Sequence, residues 1–156
     1  MTAWLDRARS YLGTREIPGP RHSALILGWW STIRAPFTDD ETPWCAAFVG
    51  GVLVEVGLNS TRSARARSYL SYGDPVAPCL GAILVFERGP VNGHVGFYVA
   101  EDSEAYHVLG GNQTDAVTIT RISKARLIGC RWPDLRIARS GPVIAPTGKS
   151  LSTNEA

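Results

Sequence analysis

The chain has 156 residues, with 16 Lys and Arg against 14 Asp and Glu, for a net charge of +2. That length is one ordinary domain able to bury a real core, and a composition 44% hydrophobic and 19% charged excludes global disorder. A charge of +2 is too small to argue for nucleic acid, and no apolar run approaches the ~20 residues a membrane helix needs.

The first residues, MTAWLDRARSYLG, place charges among their apolar positions and lack the apolar centre of a secretory signal. Trp4, Leu5, Ala8, Tyr11 and Leu12 recur at helical spacing and Gly13 ends the pattern, which predicts a helix over about residues 3–12. Pro18 and Pro20 break the chain, and His22 in this connection reads as solvated. A second helix carries Leu25, Leu27, Trp29 and Trp30, and residues 35–42 form a polar loop. TPWCAAFVGGVLVEVG then places Thr42 at an N-cap, Pro43 at the first helical position and Gly57 at the stop. Its interior is nearly all apolar, so this helix is expected to be central and buried. A further helix is expected over about residues 63–72, closed by Gly73.

The second half changes character. Residues 81–86, 94–100, 105–110, 116–120 and 127–132 are short β-rich runs separated by turn residues such as Asn92-Gly93 and Asp102-Ser103. Short successive connections predict an antiparallel meander, and helices followed by strands predict an α+β fold. From about Ala138 the chain is rich in Gly, Pro, Ser and Thr, so residues 1–137 read as one domain and 138–156 as a flexible polar tail.

Three cysteines, Cys45, Cys79 and Cys130, lie far apart and cannot all pair within the chain, so a disulfide scaffold or structural zinc is not expected. With Thr42 as N-cap, Cys45 falls in the first helical turn, where unpaired N–H groups and the macrodipole favour a thiolate and lower its pKa. The plainer alternative is a small buried hydrophobe. The base for such a nucleophile is sought among His22, His94 and His107. In a strand, His94, Gly96 and Tyr98 share one face and Val95, Phe97 and Val99 the other, which reads as the core face.

PWCAAFVGG, GHVGFYV and LGGNQ, in that order, resemble the papain-like cell-wall hydrolases of the NlpC and CHAP types, and more closely their compact single-domain phage or prophage branch. The resemblance spans about residues 3–133 and implies a papain-like α+β fold, with the nucleophile helix packed on the meander. It implies Cys45 as nucleophile, His94 as general base and a polar orienting residue on the next strand. Asn112 matches the CHAP pattern and His107 the NlpC pattern. A tight hairpin near Asp102 brings residues 111–112 opposite His94 and leaves His107 on the order of 13–16 Å away, which favours Asn112. The alternative for Asn112 is a turn residue beside Gly110-Gly111. Trp44 and Gln113 are the candidate substrate-binding residues; Trp44 also reads as core. Trp44 and Ala46 replace the acidic residue and Ser that flank the cysteine in many NlpC-type enzymes, so their stem-peptide specificity is not carried over.

No cofactor or metal is expected. Asp39, Asp40 and Glu41 lie near a place where some CHAP relatives bind calcium, but they lack the alternating spacing of a calcium loop. The expected function is therefore an endolysin that cleaves an amide bond of peptidoglycan through a cysteine acyl-enzyme. It would be a monomer made in the host cytoplasm, acting on the wall in the periplasm after release, without nucleic acid or stable membrane insertion. A secreted antibacterial effector amidase of the same chemistry, or a non-catalytic binding module on this fold, are the other readings.

Overall fold

The computed structural model describes residues 2–18, 22–40, 42–147 and 150–152. Helices come first: α1 (Ala3–Arg9), α2 (Ala24–Thr32) and α3 (Cys45–Glu55). Six strands follow: β1 (Asp74–Pro75), β2 (Ile83–Arg88), β3 (Asn92–Glu101), β4 (Ala105–Gly110), β5 (Thr118–Ser123) and β6 (Leu127–Trp132). The chain is thus α+β, as its patterning indicates. The expected helix over 63–72 is a 3-10 segment, Ala66–Ser71.

Local chemistry sets the helix ends. Thr2 Oγ1 accepts from the Leu5 amide to open α1, and Ser23 Oγ accepts from the Ile26 amide to open α2. Gly57, at φ +89°, closes α3: its N–H reaches the Val54 carbonyl and the Leu58 N–H reaches that of Leu53. This pair of bonds is a Schellman ending, which requires the left-handed conformation that glycine supplies.

From Cys45 to Leu53 every residue of α3 is buried. Its Phe48 ring meets Trp29 of α2 at 5.2 Å and Phe97 of β3 at 6.3 Å, so α3 joins the helical layer to the sheet. Full burial of each large side chain here contributes on the order of 1.5–3 kcal/mol.

The sheet order is β1-β6-β2-β3-β4-β5, all antiparallel. The expected meander holds from β2 to β5, but β6 returns to the opposite side and pairs with β2. Turn signals report which strands follow one another; they carry nothing about which open edge the last strand joins. The alternation expected in β3 is also absent, because His94 through Tyr98 are all buried. Phe97 packs toward Phe48, whereas Tyr98 packs toward Tyr106, so both faces of β3 are covered.

Parts of the segment expected to be loose, Val143, Ala145 and Ser152, are tied to the sheet. The Glu101 N–H donates to the Val143 carbonyl, the Ala145 N–H to that of Glu101, and the Ser152 N–H to that of Arg121. The Val143 N–H also donates to the Tyr98 hydroxyl. A Gly- and Pro-rich composition argues against regular structure, yet it leaves backbone groups that pair with an available edge.

Candidate active site

The cysteine helix opens two residues later than its sequence suggests. Thr42 is not the cap: its N–H and hydroxyl both engage the Asp39 carboxylate, at 2.6 and 3.2 Å. Trp44 occupies the N-cap position without a side-chain capping bond, and Cys45 is the first helical residue. Cys45 therefore still lies among the unpaired amides of a helix start. Its thiol is within hydrogen-bonding reach of the Val95, Ala46 and Cys45 amides. The Val95 contact sets the thiol against the backbone of the residue that follows His94.

The expected lowering of the thiol pKa is not found. Burial pushes the Cys45 thiol up from its ordinary value, and the Val95 amide, the charge of Arg88 and the helix-start amides do not cancel this rise. Only 4% of Cys45 is exposed, so desolvation of a thiolate outweighs the local dipoles. As a nucleophile, such a thiol would need a base.

His94 is fully buried, and its Nε2 lies 2.9 Å from Oε1 of Gln113. The Gln113 amide nitrogen donates to the carbonyls of Val108 and Thr118, at 3.1 and 2.8 Å. Those two acceptors fix which end of the amide faces His94, because an NH2 group is required toward them. Oε1 is then left for the imidazole, and a carbonyl oxygen can only accept. The proton sits on Nε2, and Nδ1 holds the lone pair in the neutral ring. The tautomer thus follows from the hydrogen-bond network.

Gln113 takes the orienting place anticipated for Asn112. The register that pairs Phe97 with Leu109 would, if continued, set Asn112 across from His94. The strand instead ends at Gly110, and Asn112 turns at φ 58°. The glycines let this corner close. A Cβ on Gly111 would lie 2.6 Å from the Trp44 ring, and one on Gly110 would lie 2.5 Å from Gln113 Oε1. Thr114 and Asp115 also have positive φ, so the loop is strained, at a cost of order 1–3 kcal/mol per outlier. It is held by the Gln113 N–H on the Ala116 carbonyl and by the Glu16 N–H on that of Asp115. Asn112 is the turn residue of this corner, and its buried Nδ2 makes no hydrogen bond.

The other candidates separate from the site. His107 Nε2 binds Asp102 at 2.7 Å, and Asp102 also receives Nε and Nη2 of Arg121. Trp44 is wholly buried and stacks on Trp29 at 5.9 Å, so it is core and does not line the cleft. Gln113, offered as a substrate-binding residue, is 1% exposed with its amide engaged internally. His22 is not merely solvated; its Nδ1 lies 3.1 Å from Asp40, whose carboxylate also accepts from the Ile17 and Ser23 amides. Asp40 thus ties the loop together, while Glu41 lies outside the described residues. Among the described residues no group of three His, Cys, Asp or Glu side chains is placed to hold a metal, and no helix is long and apolar enough to cross a membrane.

A cleft of about 510 Å³ opens beside Cys45, with Thr42, Pro43 and Gly93 at its wall. Arg65, Arg67 and Arg88 also line it. Their convergence on the cysteine requires the β2–β3 hairpin to fold against the 3-10 segment, so no local pattern announces it. No protein-family model matches the chain, and no curated protein matches it.

Proposed function

We propose that this chain is a papain-like cysteine hydrolase that cleaves an amide bond of peptidoglycan. The observation that carries the reading is the Cys45 thiol at the start of a helix, against the amide of Val95, the residue that follows a histidine whose tautomer Gln113 fixes. The resemblance of PWCAAFVGG, GHVGFYV and LGGNQ to wall hydrolases directs the choice of substrate. In this reading the enzyme is an endolysin, a monomer made in a host cytosol and released to the wall.

The chemistry follows from the protonation states. Nδ1 of His94 takes the thiol proton as Sγ attacks the carbonyl carbon, and a C–S bond forms. The helix-start amides of Cys45 and Ala46 stabilise the oxyanion. The C–N bond then breaks, the amine leaves with the proton from His94, and a thioester remains. Water attacks the thioester, gives a proton to His94 and releases the acid, and the proton returns to the thiol.

Purified peptidoglycan treated with wild type and with Cys45→Ala tests this reading, with released fragments identified by mass. Fragments from wild type alone are expected, with a loss of at least about 10³-fold in the variant. Equal release by both would remove Cys45 as nucleophile. No release by folded wild type from several wall types would turn the reading toward a binding module.

A further inference from the structure

The cleft beside Cys45 is strongly basic. Arg65, Arg67 and Arg88 line it, and none of its described lining residues is acidic. Arg67 is fixed in place: Nε donates to the Asn92 carbonyl at 2.9 Å and Nη2 to the Gly89 carbonyl at 3.0 Å. Both acceptors are backbone carbonyls at the end of the β2–β3 hairpin, so the guanidinium is held without spending its charge on a carboxylate. Arg88, the last residue of β2, sits opposite Asn92 in the hairpin. Its Nε is buried and has no hydrogen-bond partner. A buried guanidinium nitrogen without an acceptor is costly, and a planar guanidinium is the group best shaped to take a carboxylate through two parallel bonds.

Arg88 is also near enough to the cysteine for its charge to favour the thiolate. An anion bound to it would therefore lie close to the bond under attack. The low dielectric of a partly enclosed cleft strengthens such contacts.

We infer that Arg88, assisted by Arg67 and by Arg65 at the rim, forms a subsite for a substrate carboxylate one residue or less from the scissile amide. This rests on the hydrolase reading above and adds a specificity to it: the enzyme prefers acidic wall peptides over amidated ones. Peptidoglycan supplies such a group. A γ-linked D-glutamyl residue leaves its α-carboxylate free within one residue of the muramyl–peptide bond and of the amide bonds on either side.

The test uses two muramyl tetrapeptides that differ only at that α-carboxylate, free in one and a primary carboxamide in the other. Their affinities are measured for the full chain carrying Cys45→Ala, so that binding is read without turnover. Their hydrolysis is measured with wild type. The free carboxylate is expected to bind at least about tenfold better, as a charge-assisted bidentate pair requires. Arg88→Gln in the same background is expected to erase most of that preference, Arg88→Lys to restore part of it, and Arg65→Gln to change it little. Thermal melting checks that each variant is folded. Equal affinity for the two peptides, including no affinity for either, overturns the subsite. So does a preference that survives both Arg88→Gln and Arg67→Gln. Hydrolysis without discrimination sinks the subsite and spares the hydrolase reading, whereas discrimination in binding without any hydrolysis does the reverse.

Discussion

The β3–β4 hairpin carries a histidine cluster at each end, and the two are built to opposite ends. At one end His94 Nε2 meets the neutral amide of Gln113 at 2.9 Å, and the amide of the following residue, Val95, faces the Cys45 thiol. At the other, His107 Nε2 meets the Asp102 carboxylate at 2.7 Å, which also takes Arg121 and the Glu104 and Ala105 amides. The Arg121 guanidinium, foremost, together with the backbone amides and His107, holds the Asp102 carboxyl well below the usual carboxylate range against the effect of burial. That cluster saturates its charge and fixes a turn. Gln113 brings no charge to His94; it supplies direction and leaves a lone pair on the other nitrogen. A histidine with a carboxylate partner is the more familiar sign of a catalytic pair, yet here the carboxylate marks the scaffold and the amide marks the candidate site.

The sharpest way to break this contrast is at Gln113. Gln113→Ala leaves a buried imidazole N–H without an acceptor and frees the ring to turn. A fall of about 10–100-fold in kcat is expected, along with a stability loss of about 1–3 kcal/mol. Asn112→Ala at the neighbouring turn is expected to cost far less activity per folded molecule. Steady-state kinetics and urea unfolding on the two variants decide which residue orients His94, and equal losses would return Asn112 to the role.

Asp102→Asn tests the scaffold cluster. It is expected to lower Tm at pH 7 while leaving the hydrolysis rate per folded molecule unchanged. Because the folded pKa is depressed, the stabilisation is present above the unfolded value near 3.9 and is lost as pH falls toward the folded one. The gap in Tm between variant and wild type should therefore narrow below about pH 4. A gap independent of pH would show that the carboxylate charge is not what holds the turn.

The smallest effect is expected at Glu16, which joins the N-terminal segment to the strained loop around Gln113. Burial pushes its carboxyl up to about 7, with Asp115 and Asp40 adding to the rise and Trp44 opposing it. A raised folded pKa means that the contribution is full below the ordinary value of 4.5 and is lost as pH climbs through about 7. Glu16→Gln keeps the neutral form at every pH. Its Tm should match that of wild type at pH 5 and exceed it modestly at pH 8; parallel curves would separate Glu16 from the loop.

Much of the fold is legible in local pattern. The helical spacing of Trp4, Leu5 and Ala8, the uninterrupted apolar run after Cys45 and the Gly57 stop each correspond to an observed element. The five β-rich runs correspond to β2 through β6. Legibility fails where a residue's partner lies far along the chain. Thr42 reads as a cap until Asp39 claims it, and Val143 and Ala145 read as part of a loose tail until Glu101 pairs with them.

The site divides along the same line. Local placement at a helix start singles out Cys45, and the resemblance, not the spacing, picks His94 from the three histidines. The resemblance leaves the orienting group between Asn112 and His107, with the hairpin register favouring Asn112. Only the tertiary structure brings Gln113, offered by neither pattern, to His94. That placement depends on β4 ending at Gly110, on Trp44 and Phe48 closing over Gly111, and on two distant carbonyls claiming the Gln113 amide nitrogen. It alone also gathers three arginines from the 3-10 region and from β2 around the cysteine. Periodicity and turn chemistry act over a few residues, whereas hydrogen-bond partners and desolvation are set by whatever the folded chain brings within a few ångströms.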